Sequence, residues 1–108
     1  MHGLIMDRPL LISSFLEYAS SIYGAQEIVS RTTAGDIHRY TYRQADDRIR
    51  RLSKALIALG VDQGDRIATL AWNDHRHYEL YFATSGMGAV CHTLNPRLHP
   101  SQLTYIMN

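Results

Sequence analysis

The sequence predicts an α/β fold, the opening portion of a larger domain, in the element order α-β-β-α-β-α-β-α. Three observations predict it. Two short apolar runs, Ile67 to Trp72 and Ala89 to Leu94, flank a segment of helical character, the pattern of parallel strands joined through a helix. Upstream, two alternating stretches around a glycine-containing turn predict an antiparallel hairpin. Between these units lies a long amphipathic helix. A parallel strand pair must bury both of its faces, and the chain stops inside what reads as the next helix. The expectation is therefore a single segment, 1–108, whose covering layers come from further polypeptide.

Taken in order, the first helix is predicted over Ser14 to Tyr23. Ser14 and Glu17 have capping-box spacing, in which the hydroxyl accepts from one free amide and the carboxylate reaches back to another. Phe15, Tyr18, Ala19 and Ile22 form an apolar stripe at helical spacing, and Gly24 supplies a left-handed stop. Glu27 to Thr33 and Ile37 to Tyr42 read as strands around the loop Ala34-Gly35-Asp36. His38, Tyr40 and Tyr42 share one face of the second strand by alternation. Such a hairpin is marginal alone and needs a surface to pack on.

The strongest helix signal runs from Tyr42 to Leu59. Thr41 and Gln44 repeat the capping-box spacing, and Ala45, Ile49, Leu52, Leu56 and Leu59 line one face. Arg43, Arg48, Arg50, Arg51 and Lys54 read as a solvated face, with Asp46 and Asp47 suiting the positive end of the helix dipole. Gly60 ends the helix, and Asp62-Gln63-Gly64-Asp65 turns the chain into the first core strand. Asn73 is the expected N-cap of a third helix reaching about Gly86, with Tyr78, Tyr81 and Phe82 inward. Gly86 and Gly88 allow a turn into the next strand, Asn95-Pro96 ends it, and Pro100 suits the first turn of a last helix over Ser101 to Met107.

Composition narrows the function classes. A chain of 108 residues that is 45% hydrophobic suits one small domain with a core. Its 11 Lys and Arg against 10 Asp and Glu give no electrostatic reason to expect nucleic acid or an anionic membrane. The lone Cys91 excludes an intrachain disulfide and fits a reducing cytoplasm. No apolar run approaches the roughly 20 residues that span a bilayer. Asp7 and Glu17 flank the apolar Pro9 to Ile12 stretch without a small-residue cleavage site, so a secretory leader is not expected. The expected location is cytoplasmic.

Several constellations invite chemistry and have simpler explanations. His75 and His77 lie two apart, so on a helix they diverge and one ion cannot take both; they are expected to be surface or helix-end histidines. Cys91 and His92 alternate across a strand and cannot form a nucleophile–base pair. Gly86-Met87-Gly88 opens a strand rather than a helix and lacks the lysine of a phosphate loop. Trp72 and Asn73 carry the one functional promise, because ligands in open α/β sheets bind beyond the carboxyl ends of the strands. No residue is assigned as catalytic, cofactor-binding or metal-binding.

The passage Tyr40-Thr41-Tyr42, followed by Leu59-Gly60-Val61 and Gly64-Asp65-Arg66-Ile67-Ala68, resembles the N-terminal part of AMP-forming acyl-CoA synthetases, the adenylate-forming superfamily. Gly88-Ala89-Val90, Asn95-Pro96-Arg97-Leu98 and Tyr105-Ile106-Met107-Asn108 extend the likeness, which covers nearly the whole chain from about Leu10. Within the family, Gly35 to Tyr40, Ala68 to Asn73 and Gly86 to Leu98 look most like medium-chain and 3-(methylthio)propionate-activating ligases. The resemblance implies a ligase that uses ATP, CoA and magnesium and acts through an acyl-adenylate on a small carboxylic acid. It also implies a mobile C-terminal domain. The phosphate loop, acidic nucleotide-binding residues and catalytic lysine of such enzymes have no counterpart among these residues, so the segment alone is expected to be inactive. Its expected partners are the remainder of the polypeptide, with a homodimer contact carried as a further expectation. The alternative is a small self-standing α/β protein-interaction module docking through the arginine face.

Overall fold

The computed structural model describes residues 7–108. The order is α1 (Ile12–Ile22), β1 (Glu27–Arg31), β2 (Ile37–Thr41), α2 (Tyr42–Ala58), β3 (Arg66–Leu70), α3 (His75–Gly86), β4 (Val90–Leu94) and α4 (Pro100–Met107). Helices α1, α2 and α3 pack on one another, β1 and β2 pair antiparallel, and β3 and β4 pair parallel through α3. The α/β architecture and the expected element order are both present.

Helix α2 forms where local chemistry dictates. The Thr41 hydroxyl accepts from the Gln44 amide at 3.3 Å, and the Gln44 side-chain oxygen accepts from the Thr41 amide at 2.8 Å. Two donors that a helix start leaves unpaired are thereby satisfied. The buried face of α2 carries Ala45 and Ile49, which join Leu16, Tyr40 and Ala83 in the core. Leu52, Leu56, Tyr78 and Phe82 pack against that cluster. Ala45 and Ala83 are fully buried, and their small side chains let α2 and α3 approach closely. There the Ser53 hydroxyl donates across to the Ala83 carbonyl at 3.1 Å. Leu59 lies beyond the helix end and is 81% exposed, so the apolar stripe stops one turn earlier than its spacing suggests.

Helix α1 departs from expectation. It starts at Ile12 with Leu11 as an N-cap that makes no side-chain bond. The Ser14 hydroxyl donates to the Leu11 carbonyl at 2.6 Å, so it is spent inside the first turn and no capping box forms. Phe15, Tyr18 and Ile22 are exposed, while Leu16 is buried. The reason is tertiary: packing against α2 and α3 selects the side formed by Leu16 and its small neighbours over the side with the larger side chains. Gly24 is not left-handed. A Cβ there would stand 2.4 Å from the Ser20 carbonyl and 3.1 Å from the Arg43 guanidinium, so close approach accounts for the glycine.

Strands are shorter than the apolar runs. β1 stops at Arg31, β2 at Thr41, β3 at Leu70, and β4 begins at Val90; the remaining residues form turns or helix caps. Arg66 faces Val90 and Leu70 faces Leu94 across the parallel ladder. Between α3 and β4, Gly88 adopts φ +82°. Its amide and that of Ala89 bond back to the Ser85 and Thr84 carbonyls, a left-handed helix stop that glycine accommodates without steric cost. Helix α4 starts at Pro100 behind a His99–Gln102 capping box.

Candidate functional site at the carboxyl ends of the parallel strands

Strands β3 and β4 end side by side, and the loops that follow enclose an open concavity of about 590 Å³. Trp72 and Asn73 come from the first loop, Asn95, Pro96 and Arg97 from the second, and His77 and Tyr81 from the facing turns of α3. The Asn95 side-chain oxygen accepts from the Arg97 amide at 3.0 Å and its carbonyl accepts from Leu98 at 3.1 Å, which fixes the second loop. The Arg97 guanidinium then sits 5.3 Å from the Trp72 ring centroid, within cation–π range. A larger concavity, about 680 Å³ beside α1, lies against Phe15 and Tyr18 and has no converging polar groups held from several elements.

Beneath the crevice, side-chain bonds pin α3 to β3. His77 Nε2 lies 3.0 Å from the Thr69 hydroxyl, and Nδ1 lies 3.0 Å from the Asn73 side-chain oxygen. The N-cap of α3 is Asp74, whose carboxylate accepts from the Arg76 and His77 amides. Asn73 was the expected cap. Its oxygen is engaged by the imidazole instead, and the cap moves one residue on.

His75 and His77 are 6% and 4% exposed, contrary to the expectation of surface histidines. The burial comes from packing on both sides of α3. His75 stacks on His38 of β2 with centroids 3.8 Å apart, and His77 meets Tyr81 at 4.6 Å. They do diverge, as their spacing requires. Burial, followed by the charge of His38, holds the His75 imidazole below its ordinary value.

Glu79 is the buried charge that sequence inspection passed over. Arg48 Nε donates to one carboxylate oxygen at 2.7 Å and Nη2 to the other at 3.2 Å, a bidentate geometry suited to a guanidinium. Burial first, and the Glu79 charge second, push the Tyr40 phenol well above its usual range. Arg50 and Arg51 pair along α2 with Asp46 and Asp47, as a solvated helix face should. Cys91 is half-buried; burial pushes its thiol up, partly offset by the Thr69 hydroxyl. Nothing in this arrangement activates it. Tyr81 is 41% exposed and lines the crevice where the core was expected.

Residues 18–108 match the family described as AMP-binding enzyme. The chain belongs to that family. A long-chain-fatty-acid–CoA ligase of Thermus thermophilus is 52% identical over 104 residues, covering 96% of this chain and 19% of the relative. A 3-methylmercaptopropionyl-CoA ligase of Ruegeria lacuscaerulensis is 50% identical over 108 residues, covering 100% and 20%. Among solved structures, a fatty acyl CoA synthetase of Mycobacterium tuberculosis superposes with TM-score 0.74 at 26% identity, over 90% of this chain and 19% of that one. The chain thus spans about a fifth of the length of the curated relatives it matches.

Proposed function

We propose that this chain is the first part of the large domain of an ATP-dependent, AMP-forming carboxylic acid–CoA ligase, with a fatty or methylthioalkanoic acid as substrate and the cytoplasm as its location. In that reaction a carboxylate oxygen attacks the α-phosphorus of ATP and pyrophosphate leaves. The CoA thiolate then attacks the acyl carbon, and AMP leaves with the bonding pair. Membership of the AMP-binding family, with the crevice placed beyond β3 and β4, is the observation that carries the proposal.

The role assigned to this chain is positional. Among the described residues no group of three or more His, Cys, Asp or Glu side chains could hold a metal ion. The Met87 and Gly88 amides in the Gly86–Gly88 turn bond back to the Ala83 and Ser85 carbonyls at the end of α3, so the turn offers no helix-start amides. The described residues thus supply neither a magnesium cluster nor a phosphate loop, so phosphoryl transfer is assigned to the four-fifths of the relatives' length that this chain does not match. Among the described residues no helix is long and apolar enough to cross a membrane.

The test is release of pyrophosphate and CoA-dependent AMP by the intact protein containing this chain, given ATP, magnesium and acids of graded length. Turnover by the intact protein and none by residues 1–108 alone supports the proposal. An intact protein that makes no AMP, or an isolated segment that does, overturns it.

A further inference from the structure

The chain of bonds under the crevice has a direction. His77 Nδ1 lies 3.0 Å from the Asn73 side-chain oxygen, and an amide oxygen only accepts, so the hydrogen of the neutral imidazole sits on Nδ1. Nε2 is then the acceptor, and it faces the buried Thr69 hydroxyl at 3.0 Å. With its oxygen engaged from within, Asn73 has its amide NH2 left for the crevice it lines.

We infer that Asn73 is a binding residue presenting two N–H donors to an anionic oxygen of a ligand, and that buried His77 is the positioning residue that fixes this orientation. The chemical class is a phosphate or carboxylate oxygen, which accepts only. The Arg97 guanidinium over Trp72 on the same crevice adds positive charge to that wall. Without the imidazole the amide could turn over and offer its oxygen, which would repel the same ligand. The inference rests on the ligase reading for its substrates but not for its geometry.

Two measurements on the intact protein test it. Selective 15N labelling of histidine reports the His77 tautomer; the expected shifts are those of a hydrogen on Nδ1 with Nε2 accepting, and the opposite tautomer overturns the inference. Asn73→Asp keeps an oxygen for His77 while replacing the donors with a negative charge. The expected result is a KM raised roughly tenfold or more for one substrate, with the melting temperature held and kcat little changed. Separate KM values for ATP, CoA and the acid identify which supplies the oxygen. Unchanged KM for all three contradicts the inference. Wild-type protein that forms no AMP removes the ligase reading instead, and the tautomer then decides the inference alone.

Discussion

The two strand pairs meet water on different terms. The hairpin β1–β2 seats His38 and buried Tyr40 against α2 and α3 and turns Glu27, Arg39 and Thr41 outward, where Arg39 and Glu27 pair at 3.1 Å. One wet face is ordinary for an antiparallel pair. In β3–β4, Thr69 lies on the side backed by α3, whereas Leu70 and Val90 on the opposite face are 55% and 48% exposed. Parallel pairs are rarely stable half-covered. The hairpin's outward face also carries apolar side chains, Val29 and Ile37 at 52% and 56% exposed; the difference is that an antiparallel pair tolerates a wet face, whereas a parallel pair asks for a covering layer.

The largest effect is expected in the core that the three helices share with the hairpin. Ile49→Ala should cost about 3 kcal/mol in chemical denaturation of the intact protein, because the side chain is 3% exposed between the helices. A loss below about 1 kcal/mol would mean that the site collapses freely. A smaller effect should separate the pairs by pH. His75 faces His38 and Tyr40 from β2, with Asp74, Arg76 and Glu79 beside it on α3. Its folded value lies below the ordinary 6.5, so the unfolded chain takes up the proton first. The stability it contributes is complete above about pH 6.5 and is lost as pH falls through the depressed folded value. Melting temperature followed against pH should show this slope. His75→Phe, which keeps a ring on His38, should flatten it, and an unchanged slope would place the titration elsewhere.

The smallest effect compares two similar sequence signals. Thr41→Ala should cost about 1 kcal/mol, since the hydroxyl caps α2. Ser14→Ala should cost less than about 0.5 kcal/mol, since its hydroxyl bonds only within the first turn of α1. Equal losses would show that Ser14 acts as a cap after all.

That contrast also explains what the sequence revealed. Helix α2 was legible because its start and stop are local: Thr41 and Gln44 lie three apart, and Gly60 follows the last turn. Helix α1 carries the same spacing at Ser14 and Glu17, but its phase is chosen by Leu16 docking on other helices, which no local pattern records. The Trp72–Asn73 loop was singled out from its place at a strand end, and the structure puts it on the crevice. Its link to His77 had a readable signal, an Asn and a His four apart at a helix start. The Arg48–Glu79 pair had none, because its partners are 31 residues apart. Burial of His75 likewise depends on His38 arriving from another element.

The uncovered parallel face is tested most directly by light scattering on residues 1–108 in isolation. Concentration-dependent association is expected, relieved when Leu70→Lys and Val90→Lys are introduced together. A monodisperse wild-type monomer that melts cooperatively would contradict the need for further cover over β3 and β4.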